Sequence, residues 1–120
     1  MEIYSKYLKG YVAAEEDRIR REIVAKLFST FKGAGFCVSV SHDSANETEK
    51  KVHGTSDCLS AVFESEYDAG RCWIFATKPE MEKPFWVLLV TENVEDIISD
   101  YAVSSEKFVA PANKLAEKYQ

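Results

Sequence analysis

Hydrophobic residues recur with two different periods along this chain, and the two periods predict helices at both ends with strands between them. Near the N-terminus apolar residues lie three or four positions apart, which is the spacing of one helix face. The pattern predicts a helix over residues 12–32 that is stopped by Gly33 and Gly35, and a helical lead-in that Gly10 interrupts. The same spacing near the C-terminus predicts a last helix capped by Ser104, with its regular part beginning near residue 110 because of Pro111.

Between the two ends, a period of two predicts strands. The first and last of these strands alternate between apolar and polar residues, whereas the middle two are apolar on both faces. The two prolines of the KPEMEKP segment indicate a loop between the middle strands, so we expect an antiparallel hairpin. The strands are expected at residues 36–41, 71–77, 85–91 and 96–103.

The stretch at residues 43–54 is polar, which is typical of a loop, and a weak strand near 49–53 is an alternative. A short helix is expected at about 57–64. The order predicts an α+β fold: a long N-terminal helix, a four-stranded mainly antiparallel sheet with a short helix after the first strand, and a C-terminal helix packed on one face. A chain of 120 residues is expected to form a single domain, residues 1–120, with 1–11 as an N-terminal extension or contact helix.

The middle strands carry more large apolar side chains than one layer of helices can cover. The second sheet face must therefore be covered by the N-terminal helix, by the polar loop folded back, or by another chain. A stripe of tyrosines near the N-terminus is a second surface of this kind, since tyrosine is enriched in binding anchors. The candidate interface residues are Tyr4, Tyr7, Tyr11, Trp73, Phe75, Trp86, Leu88 and Val90.

The C-terminal part of the chain, WVLLVTENVEDIISDYAV followed by VAPANKLAEKY, resembles a family of small proteins encoded by bacteriophages and mobile elements. Upstream, GFCVSVSHD and SDCLSAVFES match that family's strand and short helix in kind, so the resemblance covers roughly residues 22–120. The family's glycine-rich turn is replaced here by residues 92–95. Because the family is largely of unknown function, the resemblance implies a biological setting and transfers no catalytic residue.

The sequence contains few residues that could support catalysis or metal binding. There is no phosphate-binding glycine loop and no nucleophile elbow, and five Cys and His residues at loose spacing do not match a zinc site. We therefore expect no catalytic residue, no cofactor and no metal, and expect all three cysteines to be buried, reduced and structural. The one acidic patch is more typical of a solvated turn than of a catalytic or cation-binding carboxylate pair, and it comprises Glu92, Glu95, Asp96 and Asp100.

Charge and hydropathy narrow the functional class. The net charge is −5, and residues 56–120 carry twelve of the twenty acidic residues, which disfavours general phosphate binding. The basic residues of the first long helix, Arg18 among them, are explained by pairs with nearby glutamates, so nucleic acid is not expected as a partner. No segment predicts a membrane span or a signal peptide, and we expect a cytoplasmic protein.

These observations favour a non-enzymatic accessory protein of phage or mobile-element type that acts by protein–protein contact and forms a homodimer. One alternative is an acidic protein that mimics nucleic acid and inhibits a host defence or nucleic-acid enzyme. The other is a small carboxylate-dependent enzyme built around Asp96 and Asp100. The identity of the protein partner is not encoded in any motif of the sequence.

Overall fold

A computed structural model gives the fold of residues 2–42, 50–63, 71–91 and 97–119, with side chains described from Glu15 onward. The fold is α+β, as predicted. In chain order its elements are α1 (Glu2–Gly33), β1 (Cys37–Ser41), β2 (Lys50–Val52), α2 (Thr55–Phe63), β3 (Arg71–Thr77), β4 (Phe85–Val90), β5 (Ile98–Tyr101), a 3-10 turn (Val103–Ser105) and α3 (Glu106–Lys118).

The sheet has five strands in the order β2-β1-β3-β4-β5, and every neighbouring pair is antiparallel. The predicted count of four strands was wrong, because the weak strand considered near residues 49–53 is present as β2. This strand has three residues, too few to produce a clear alternation in sequence. Its pairing with β1 places Val52 opposite Val38, and burial of both valines makes β2 part of the sheet. The short helix α2 consequently follows β2 and not the first strand.

Helix α1 runs from Glu2 to Gly33 without interruption at Gly10, and its 32 residues correspond to about 48 Å of helix. It ends as predicted at the glycine pair. Gly35 has φ of 91°, a left-handed conformation that glycine adopts without steric cost. The amide of Gly35 donates to the carbonyl of Lys32, and the amide of Phe36 donates to the carbonyl of Phe31. These two bonds form a Schellman motif, which satisfies carbonyls at the end of the helix.

The last helix differs from its predicted start. Helix α3 begins at Glu106 and continues through Pro111, its sixth residue. The predicted cap, Ser104, lies within the preceding 3-10 turn, and Ser105 occupies the N-cap position. The hydroxyl of Ser105 donates a hydrogen bond of 2.6 Å to the carbonyl of Ala102, so this buried side chain stabilises the turn that leads into α3.

All three helices pack on one face of the sheet. The core-facing positions of β3 and β4 are almost fully buried, and they contact the apolar faces of the helices. One part of this core is an aromatic cluster of Phe31, Phe36, Phe85 and Phe108, with neighbouring ring centroids 4.9–6.0 Å apart. The core side chains of the two central strands are Cys72, Ile74, Ala76, Val87 and Leu89.

Candidate interaction surface

The second face of the sheet carries the large side chains that the sequence pattern singled out. Along β3 and β4 burial alternates strictly after the first residues, so every second side chain points away from the helices. These outward side chains are half-buried, and none of them belongs to the hydrophobic core. We call this surface the open sheet face, and it consists of Trp73, Phe75, Trp86, Leu88 and Val90.

Strand register brings the five side chains of the open sheet face together. Phe75 lies opposite Trp86, and Trp73 lies opposite Leu88 on the neighbouring strand. Directly paired residues on one sheet face have Cβ atoms about 4.5–5.5 Å apart, so each pair shields part of its own surface from water. Mutual shielding contributes to their half-buried state. The five predicted residues therefore form one continuous apolar patch.

Polar residues of the neighbouring strands border this patch. On β1, Ser39 is opposite Phe75, and the fully buried Ser41 is opposite Trp73. At one lateral edge of the sheet β2 carries Lys51, and at the other edge β5 carries Asp100 opposite Leu88. An apolar centre with a polar and oppositely charged border is the usual anatomy of a protein–protein contact surface.

The predicted acidic patch lies largely outside the described residues, since only Asp100 of its four members is described. Asp100 is exposed, and its carboxylate accepts a hydrogen bond of 2.9 Å from the amide of Tyr101. Leu88 pairs with Asp100 and Leu89 pairs with Ile98, which leaves Ser99 as an extra residue in the register. Ile98 and Asp100 consequently point to opposite faces. The two-residue alternation expected over residues 96–103 is thus broken within β5.

The N-terminal tyrosines belong to the helical backbone of α1, and the side chains of Tyr4, Tyr7 and Tyr11 lie outside the described part of the chain. Their role as an interface stays a prediction. From Glu15 onward α1 has an apolar side that packs in the core, where Ile23, Leu27 and other apolar residues are buried.

The exposed side of α1 carries paired charges, as the sequence suggested. Arg18 bonds both Glu15 and Glu22, and Arg21 contacts Asp17 at 2.9 Å. Arg20 contacts Glu16 at 3.5 Å. These pairs are spaced three or four residues apart along the helix, so the arginines are largely neutralised by their own helix.

The cysteines divide into two kinds, and the expectation that all three are buried was wrong for Cys37. This residue is the first of β1 and faces away from the core, so its side chain is exposed. Burial raises the pKa of Cys58 and of Cys72 to about 12. Across the described ranges, no three His, Cys, Asp or Glu side chains are grouped to hold a metal ion.

A pocket that the sequence analysis missed lies at one end of the sheet. It has a volume of about 540 Å³ and forms where β1 begins, where β2 and β3 end, and beside the last turn of α1. Three lysines from three elements, Lys32, Lys51 and Lys78, line this end pocket together with the exposed Cys37. The sequence places a lysine near the end of each of three elements. These lysines indicate a pocket only once the fold has brought the three ends together.

Comparison with known proteins adds no assignment: the chain matches no protein-family model, no curated protein and no solved structure. None of the helices in the described ranges has both the length and the apolar character that crossing a membrane requires.

Proposed function

We propose that this protein is a non-enzymatic accessory protein that acts by protein–protein contact, and that its open sheet face pairs with a second copy of the chain. One observation carries the proposal: five large apolar side chains form a continuous patch on the face opposite α1, α2 and α3. The resemblance of the C-terminal part to small phage-encoded proteins supports a mobile-element setting.

The composition of the patch favours a contact surface over a solvated sheet. Two of its five members are tryptophans, which dominate binding hot spots because they remove a large area from water on contact. A two-fold dimer would bury the same patch on both copies, so each anchor contributes twice. Complete burial of a large apolar side chain contributes roughly 1.5–3 kcal/mol. Part of this contribution is already present in the half-buried state, and dimerisation would add the rest.

The charges at the lateral edges favour a second copy as the partner. A two-fold axis parallel to the strands turns the sheet over, so that the β2 edge of one copy approaches the β5 edge of the other. Lys51 of each copy would then approach Asp100 of its partner, which is a favourable arrangement at the border of an apolar contact. An axis perpendicular to the strands would oppose like edges, so the charge pattern selects one of the two geometries.

A single substitution in the centre of the patch tests the proposal. We expect light scattering of the native protein at micromolar concentration to give twice the chain mass of 13.6 kDa. Leu88→Glu should give a folded monomer, because a carboxylate at the centre of an apolar contact loses its hydration without a partner. Val103→Glu is the matched control, since Val103 is 84% exposed in the turn before α3 and should leave the mass of the dimer unchanged.

The salt dependence separates this proposal from an acidic mimic. Apolar contact should persist between 50 mM and 500 mM salt, whereas binding through carboxylates weakens as charges are screened. A native particle of 13.6 kDa at every concentration tested would refute the dimer. A dimer that Leu88→Glu leaves intact would place the contact on another surface and refute the role of the open sheet face.

A further inference from the structure

Some residues of the end pocket belong to the core or border the open sheet face, and others belong to neither. Its lining includes Val38 and Val52, paired core residues of β1 and β2 that are only 3% and 2% exposed. Met81, from the loop after β3, adds a flexible apolar wall. The volume of about 540 Å³ lies within the range of pockets that bind small organic molecules, about 300–1,000 Å³.

The polar lining of the end pocket has one sign of charge. Lys32, Lys51 and Lys78 contribute ammonium groups, and no aspartate or glutamate is among the lining residues that the structure describes. None of the three lysines forms an ion pair with a carboxylate of the described ranges, whereas the arginines of α1 do. This local excess of positive charge stands out in a chain whose net charge is −5.

Structural contacts hold two of these lysines at the pocket. The Nζ atom of Lys78 lies 4.5 Å from the centroid of the Phe36 ring, which is a cation–π distance. The Cε atom of the same side chain lies 3.8 Å from the point where a Cβ atom of Gly35 would be. Lys32 occupies the last turn of α1, where its positive charge offsets the negative end of the helix dipole. Local interactions therefore stabilise the positive charges of Lys32 and Lys78 before any ligand binds.

We propose that the end pocket binds a small organic anion, with an apolar group against Pro79 and Met81 and a phosphate or carboxylate between the lysine ammonium groups. An apolar wall alone would favour neutral molecules, and surface lysines alone would bind ions without selection. Both features in one cavity select a ligand that carries an apolar group and an anionic group. Phosphate and carboxylate share this recognition chemistry, because each accepts hydrogen bonds from ammonium donors.

Four simple probes test the proposal on the intact protein: phenyl phosphate, benzoate, inorganic phosphate and benzyl alcohol. Binding would be followed through the backbone amide shifts of Val38, Val52 and Thr77 in NMR titrations. We expect phenyl phosphate or benzoate to shift these amides saturably and at lower concentration than inorganic phosphate or benzyl alcohol. The stronger of the two aromatic anions identifies the preferred head group, and either preference supports the site.

Lysine variants show whether the ammonium groups are responsible. Lys32→Gln and Lys78→Gln should each weaken binding of the preferred aromatic anion roughly two- to fivefold, the range expected for a solvent-exposed charge pair. Lys114→Gln, on the exposed side of α3, removes the same charge elsewhere and should leave the affinity unchanged. Thermal melting of each variant verifies that the fold is retained, and a weaker affinity counts only for variants that melt as the native protein does.

Lys51 takes part in both proposals, so binding is also measured on the Leu88→Glu monomer, which should still bind the probe because Leu88 lies outside the end pocket. The anion site is refuted if neither aromatic anion shifts the three amides saturably below 10 mM. It is equally refuted if benzyl alcohol binds as well as the aromatic anions, or if Lys114→Gln weakens binding as much as the two pocket variants do.

Discussion

The rings of Phe31 and Phe36 meet edge to face across the end of α1, with centroids 5.5 Å apart and ring planes at 84°. The amide of Phe36 also donates a hydrogen bond to the carbonyl of Phe31. The same two residues therefore end the helix through a backbone hydrogen bond and a contact between their side chains. This apolar contact commonly accompanies a Schellman motif. It directs the chain from the long helix into β1 and places Phe36 in the aromatic cluster of the core.

The conformation of Gly35 makes this turn sensitive to substitution. Gly35→Ala should lower the free energy of unfolding by about 1–2 kcal/mol, because a residue with a Cβ atom is strained at φ of 91°. Gly33→Ala is the matched control: the position has no positive φ and open space around it, so we expect stabilisation of about 0.4–1 kcal/mol. Urea unfolding measures both values. Equal effects at the two glycines would contradict a steric requirement at Gly35.

Two adjacent residues of β3 should respond differently to truncation, since they point to opposite faces. Ile74 is fully buried in the core, and Ile74→Ala should cost about 2–5 kcal/mol of unfolding free energy. Phe75→Ala removes a cross-strand pair with Trp86 on the open sheet face and should cost about 0.2–1 kcal/mol. Both variants would be unfolded in urea in the Leu88→Glu background, which removes any contribution from association. A cost at Phe75 as large as that at Ile74 would mean that the chain itself covers the open sheet face.

The three thiols should label in two phases. At pH 8 a thiol-reactive dye should modify Cys37 quickly, while Cys58 and Cys72 react only after unfolding, because burial raises the pKa of both to about 12 and leaves almost no thiolate. Absorbance of the released dye counts the thiols in each phase, and Cys37→Ser should remove the fast one. Rapid native labelling of more than one thiol would show that the core around Cys58 and Cys72 is accessible.

Alkaline pH should weaken the contact between the first and last helices. The hydroxyl of Tyr119 donates a hydrogen bond of 2.7 Å to the Glu22 carboxylate, and this bond raises the pKa of Tyr119 above its ordinary value of 10.0. A raised pKa in the folded state means that the stabilisation is complete below pH 10 and is lost as pH rises through the folded-state pKa. Tyr119→Phe should therefore melt at a lower temperature than the native protein at pH 7, and the difference should shrink above pH 10.

A matched variant identifies the carboxylate as the cause. Glu22→Gln retains a hydrogen-bond acceptor but removes the negative charge, so the titration of Tyr119 followed by absorbance should move back towards its ordinary range. A melting difference between Tyr119→Phe and the native protein that stays constant up to pH 11 would contradict the hydrogen bond to Glu22.

Several local features followed from the residue pattern because local interactions produce them. The apolar stripe of Ile23, Leu27 and Phe31 predicts α1, and the end of that helix just before Gly35 follows from the conformational freedom of glycine. The alternation in β3 and β4 likewise identifies the residues of the open sheet face from the sequence alone. Each of these inferences depends on residues within a few positions of one another, where helix and strand periodicity determines which side chains share a face.

The remaining features depend on which elements meet, and the sequence contains no short-range signal for that. Strand β2 is formed by pairing with β1, the extra residue Ser99 reverses the alternation in β5, and the ends of three elements bring Lys32, Lys51 and Lys78 to one pocket. The chain by itself thus determined most of the elements and the faces of its central strands. Only the tertiary structure decided the sheet order, the exposure of Cys37 and the existence of the pocket, because long-range pairing and packing bring together residues that are far apart in sequence.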